Sequence, residues 1–294
     1  MNLFAIALVI ASTFMHASWN LMAKHGKSEH DFFERMQVMI ILVGLIPFAI
    51  SEYHVRSIPS QAWVYAVFSG FSCGIYYFSL ANAYSLSDFT TAYPVARALP
   101  VLLMGFIDTA RGEMPTSIGW LGMVMVAVGC TFSPLESIKE IRLSKYINKA
   151  SVWMVLTAFG TVGYSTFDKM ASEIVKKGVW TAGRYGYAFY AFSGIFYIII
   201  KRLFHRKSSD NNNSRNIGWF MPTLSGILGF GAYWLVLWAY QLVNRASYVV
   251  TFRQFSIVIG VIAAFIIYRE KGFVIRMTAV LTITAGLIII TIWG

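Results

Sequence analysis

The sequence predicts an all-α integral membrane protein in which ten transmembrane helices form two five-helix inverted-topology repeats around a central cavity. Three observations carry that reading. Of 294 residues, 57% are apolar and only 13% charged, far from the composition of a soluble domain. Ten apolar stretches of roughly bilayer-spanning length occupy most of the chain. The sequence also repeats itself: Ala83-Tyr84-Ser85-Leu86 followed by Arg97 returns as Ala239-Tyr240-Gln241-Leu242 followed by Arg253, at a constant offset of 156 positions.

The expected spans run, in order, over 3–23, 33–50, 61–83, 87–107, 117–133, 150–170, 181–200, 217–241, 246–268 and 273–293. The first has no basic residues in Met1-Asn2-Leu3 and continues through Trp19, Asn20 and Lys24, so it reads as a retained helix rather than a cleaved signal peptide. The third ends in the repeated Ala-Tyr motif. The fourth carries Arg97 between Pro94 and Pro100. Each proline removes a backbone donor, which predicts a kinked or locally unwound helix there. The sixth opens the second half, and the polar run Ser208–Ser214 after the seventh reads as a solvated loop. The ninth carries Arg253 without a nearby proline. Cys73 and Cys130 fall inside apolar spans without metal-like spacing and read as core residues. Residues 1–135 and 136–294 are the expected repeats of one integrated transport domain.

A net charge of +11 would suggest nucleic acid in a soluble chain, but here the basic residues are first topology signals. They concentrate in odd-numbered loops, as in Lys139, Arg142, Lys145 and Lys149, and again in Lys201, Arg202, Arg206, Lys207 and Arg215. This distribution points to cytoplasmic odd loops and external termini.

Further pairs extend the repeat: Lys24 with Lys169, Arg35 with Arg184, Glu113 with Glu270 and Gly129 with Gly286. Because five is odd, the second half enters the membrane from the opposite side, the plan of many secondary transporters. On His16-Ala17-Ser18-Trp19-Asn20 with Lys24, on Tyr93-Pro94-Val95-Ala96-Arg97-Ala98-Leu99-Pro100 and on Arg269-Glu270-Lys271, the chain resembles the drug/metabolite transporter superfamily, specifically its ten-helix branch with two EamA-type domains. The resemblance covers nearly the whole chain. It implies transport of small metabolites, commonly export of amino acids or related compounds, by alternating access. Descriptions of that architecture often put the termini in the cytoplasm, opposite to the charge count.

His16, Asn20 and Lys24 recur every four residues and share one helix face. Their counterparts are Thr161, Ser165 and Lys169, with Asp168 beside the last. Such stripes face an aqueous cavity or bond helix to helix. Arg97 and Arg253 are the prime candidates for substrate contact, because a guanidinium stays charged and offers a fork of donors to carboxylate or phosphate. An ion pair with Glu34, Asp108 or Asp168 is their alternative role. Tyr93, Tyr164 and Gln254 stand near these groups in sequence, and Trp234 with Trp238 could wall an apolar or cationic part of a substrate. Glu34, Arg35, Asp168 and Arg184 are gating or coupling candidates, with Asp168, Glu34 and His16 able to carry protons.

No zincin, Walker or nucleophile-elbow motif occurs in the sequence, and His25, Glu29, His30 and Asp31 read as a hydrated cluster rather than a metal site. The expectation is therefore a non-enzymatic secondary transporter without cofactor in a bacterial inner membrane. Its partners are a small-molecule substrate and membrane lipids, with no nucleic acid, and it is a monomer or homodimer. A flippase for a lipid-linked anionic headgroup, an importer of organic cations and a membrane scaffold are the rival readings.

Overall fold

The computed structural model describes residues 2–24, 29–86, 89–133, 135, 137, 149–205, 218–268 and 272–294. Its helices are α1 (Leu3–Lys24), α2 (Glu29–Val55), α3 (Ser60–Leu86), α4 (Phe89–Ala110), α5 (Ser117–Phe132), α6 (Lys149–Ile174), α7 (Val179–Phe204), α8 (Phe220–Tyr240), α9 (Ala246–Phe252), α10 (Phe255–Tyr268) and α11 (Phe273–Trp293). Together they make ten crossings, because α9 and α10 are two pieces of the ninth. No strand occurs among the described residues. Six helices, α1, α2, α3, α7, α8 and α11, are individually long and apolar enough to cross a bilayer. Leu42, Val43, Leu45, Ile46 and Ile50 of α2 are exposed on the outside of the bundle, as befits a surface solvated by lipid tails.

The helix contacts exchange partners under the repeat. Extensive pairings include α3 with α6, α1 with α8 and α3 with α7, while α5 meets α11 and α2 meets α7. Since α1 corresponds to α6 and α3 to α8, the α3–α6 and α1–α8 pairings are copies of each other, and α5–α11 and α2–α7 join each helix to its own counterpart. The α5–α11 contact depends on small residues that let backbones approach. A Cβ on Gly286 would lie 2.6 Å from the Gly122 carbonyl oxygen, and one on Gly129 would lie 2.9 Å from that of Ala279.

The expected local unwinding between Pro94 and Pro100 is corrected. The helix between Phe89 and Ala110 runs unbroken through Pro94 and Pro100, and the interruption occurs in the ninth crossing, at Arg253-Gln254. There the ladder shortens, with Gln254 N–H donating to the Thr251 carbonyl at 3.0 Å and Ile257 N–H to that of Gln254 at 2.8 Å. Side chains bond the backbone around the same place. Thr251 Oγ1 donates to the Ser247 carbonyl, Gln254 Nε2 to that of Val250 and Ser256 Oγ to that of Arg253. These bonds add acceptor load to the carbonyls beside the break.

Charged groups pin both ends of the bundle. At the end holding both chain termini, Glu173 of α6 accepts from Arg111 Nη2 at 2.7 Å and lies 3.2 Å from Lys169 Nζ. At the far end Lys201 of α7 reaches Asp31 at 2.7 Å and Glu34 at 2.5 Å on α2.

Candidate functional site

A cavity lies between the halves. It is lined by His16 and Asn20 of α1, Tyr76, Leu80 and Tyr84 of α3, Arg97 and Pro100 of α4, Met154, Thr157, Thr161 and Tyr164 of α6, Val250 of α9, and Arg253 and Gln254 at the helix break. Both repeats therefore contribute, and two guanidinium ions face one space without a carboxylate among its described lining residues. Its volume is about 40 Å3, enough for about three waters. A smaller chamber of about 10 Å3, lined by Ser12, Thr13, Gly229, Ala232, Tyr233 and Val236, shares His16 and Arg253 with it.

Arg253 is buried and reaches the cavity because the helix ends beneath it. Its Nη2 donates to the Tyr164 hydroxyl at 3.1 Å, and its Cζ lies 5.7 Å from the Tyr164 ring centre and 5.4 Å from that of Tyr233. The aromatic faces offset part of the desolvation of the charge. Its Nη1 is buried without a hydrogen-bond partner among the described residues. An unpaired donor on a buried cation is costly and calls for a ligand that can accept from it.

Arg97 is set differently. Its Nη2 donates to Ser256 Oγ at 3.2 Å and its Nη1 to Gln254 Oε1 at 3.5 Å, so it ties α4 to the helix break and to the first turn of α10. His16 Nδ1 accepts from Trp19 Nε1 at 3.1 Å. A neutral ring in that setting carries its proton on Nε2 and is a donor there. Asn20 Oδ1 accepts from the Tyr84 hydroxyl at 3.4 Å.

Of the residues singled out from sequence, the structure thus brings His16, Asn20, Arg97, Thr161, Tyr164, Arg253 and Gln254 around one cavity. The others stand elsewhere. Lys169 donates to the carbonyls of Tyr240 at 3.3 Å and Val243 at 2.6 Å, so its charge closes the C-terminal end of α8. Ser165 is buried within the bundle, outside both cavity linings. Trp234 donates to the Val179 carbonyl at 2.6 Å, and Trp238 packs edge-on against Phe4. Arg184 donates to Ser57 and Ser51 and lies 3.4 Å from Glu52, fastening α7 to the α2–α3 turn. Arg35 sits over the Trp219 ring at 5.1 Å. The three carboxylates considered as arginine partners have other bonds: Glu34 with Lys201, Asp108 with the Ser247 N–H at 2.7 Å, and Asp168 with hydroxyls of Ser69, Tyr185 and Tyr233. The side chains of Lys24 and Tyr93, residue His25, the Arg269–Lys271 motif and the Ser208–Ser214 run lie outside the described residues.

Sequence reasoning missed the pinning residues Glu173, Asp31 and Arg111. The first was visible as an i,i+4 partner of Lys169. Tyr233 carried its own signal too, lying 156 positions after Tyr77 in the same register as the arginines.

A solved protein crystal structure with 15% sequence identity superposes on 98% of this chain and 97% of its own, at a TM-score of 0.70, which establishes a shared fold. No curated protein matches the chain. The model of the EamA-like transporter family matches it twice, over residues 3–133 and 148–292. With two matches that together take in both halves of the bundle and both arginines of the cavity, the chain belongs to the EamA-like transporter family.

Proposed function

We propose that this member of a membrane transporter family is a secondary transporter that exports a small polar metabolite bearing a carboxylate or phosphate, most simply an amino acid or related zwitterion, across a bacterial inner membrane by alternating access. The observation that carries the reading is Arg253, whose buried Nη1 lacks a hydrogen-bond partner beside a cavity shared by both repeats. A carboxylate or phosphate oxygen supplies the acceptor that this donor requires. Arg97 adds a second positive charge to the same space. An organic cation would have to enter beside two guanidinium ions, so the anionic reading is the better fit. A space of about 40 Å3 is smaller than a metabolite, so the cavity has to widen before one enters.

The test is counterflow in proteoliposomes with labelled amino acids, small organic acids and organic cations. Exchange of an amino or organic acid is expected, with Arg253→Lys weakening apparent affinity about ten- to a hundredfold, the equivalent of losing a charge-assisted hydrogen bond. Movement of cations alone, or unaltered affinity in folded Arg253→Ala protein, would refute the reading.

A further inference from the structure

We propose that Asp168 is a proton-carrying site that couples transport to a proton gradient, an inference that rests on the reading of Arg253 as the anion-holding group. Asp168 belongs to α6 and is fully buried. Its carboxyl accepts hydrogen bonds from Ser69 of α3 at 2.5 Å, from Tyr185 of α7 at 2.9 Å and from Tyr233 of α8. One carboxyl thereby joins four helices drawn from both repeats. No lysine, arginine or histidine forms an ion pair with it among the described residues.

Other titratable or charged groups surround it. Arg253 faces it from the helix break, Tyr240 from α8 and Cys73 from α3. Lys169, next in sequence, turns to the end of α8 and to Glu173, where Arg111 and Asp108 of α4 complete a separate cluster.

Three hydroxyls can all donate to an ionised carboxylate. A protonated carboxyl is neutral and a donor at one oxygen. Where it donates to one of these hydroxyls, that bond reverses and the hydroxyl's own proton turns elsewhere. The bonds that remain lose their charge assistance, so the links among the four helices weaken. Tyr233 connects this change to the cavity. The ring whose hydroxyl reaches Asp168 also lies beneath the Arg253 guanidinium and lines the smaller chamber. A proton on Asp168 therefore alters the setting of the arginine, and an anion on the arginine alters the field at Asp168; the coupling is reciprocal. The balance is simple, since one proton binds a carboxylate oxygen from one side and leaves to water on the other, with no other bond made or broken.

The first test uses the full-length protein in liposomes and no substrate. Infrared difference spectra between about pH 5 and about pH 8 should contain a protonated-carboxyl band that Asp168→Asn lacks. Tyr233→Phe keeps the ring under Arg253 but removes one donor to the carboxylate. In that variant the band's midpoint should move toward alkaline pH by about one unit, since a hydrogen bond to a charged group is worth about that much. It also provides a second, less disruptive variant should Asp168→Asn fold poorly. A band unaltered in both variants, or absent from the wild type, overturns the proposal.

The second test loads the vesicles with a labelled amino-acid mixture in sodium-free choline buffer and imposes a pH gradient. Wild-type flux should follow the gradient, while Asp168→Asn should exchange label across the membrane without responding to it. A gradient response retained in Asp168→Asn, or flux that depends on sodium instead, overturns the proposal. If no amino acid moves at all, the substrate reading fails, while the infrared titration still decides the role of Asp168.

Discussion

The two arginines occupy equivalent repeat positions, yet their surroundings give them different work. Arg97 spends donors on Gln254 and Ser256, bracing the helix break, whereas Arg253 is left with a buried Nη1. Arg97→Ala should lower thermal stability in detergent and transport together, by about 1–2 kcal/mol in stability for the lost side-chain bonds, and Arg97→Lys should recover part of both. Stability unchanged in Arg97→Ala with affinity abolished would instead assign Arg97 to direct substrate contact. The sequence made both arginines legible through the 156-residue offset, and the i,i+4 spacing of His16 and Asn20 marked one lined face. It could not rank the arginines, because that depends on which donors are already used by neighbours from another helix.

At the scale of elements, the turn between α8 and α9 is held from two sides. Lys169 binds the carbonyls that α8 leaves open, and Asp108 accepts from the Ser247 N–H at the start of α9, each charge set against the helix end of opposite polarity. Replacing Lys169 with Met should cost about 1.5–3 kcal/mol, the worth of hydrogen bonds to a charged group, seen as a lower midpoint of thermal unfolding while substrate affinity per folded molecule is kept. Loss of affinity without loss of stability would instead return Lys169 to the substrate site. Nothing in residues 166–173 announced this role, since the carbonyls it binds lie some seventy positions away. The break in the ninth crossing was obscure for a different reason. Proline is a strong sequence marker for an interrupted helix, but none stands beside the break at Arg253-Gln254, whereas the helix carrying Pro94 and Pro100 remains continuous.

For the whole molecule, the ten crossings were legible because a bilayer demands long apolar segments, and the inverted plan followed from repeating an odd number of them. Which helices touch was not legible. Apolar faces look alike in sequence, and the pairings of α3 with α6 and α1 with α8 rest on shape and on small residues. The clusters at the two ends, Arg111–Glu173–Lys169 and Lys201–Asp31–Glu34, join residues far apart in the chain and were likewise invisible before folding.

That exchange of partners between repeats also governs how the chain can be made. α1 leaves the ribosome long before α8, the helix it packs against, has been synthesised. α6, carrying Asp168 and Lys169, is not among the helices apolar enough to enter lipid unaided, and it needs α3 already in the bilayer to receive it. Each half synthesised alone would thus show lipid a polar surface meant for the other, the signature by which membrane quality control selects chains for degradation. Residues 1–135 and 136–294 expressed separately should be short-lived, and expressed together from two messages they should accumulate and co-purify. Pulse-chase turnover measures this directly, and a long-lived isolated half would mean that the repeats mature independently, without waiting for each other.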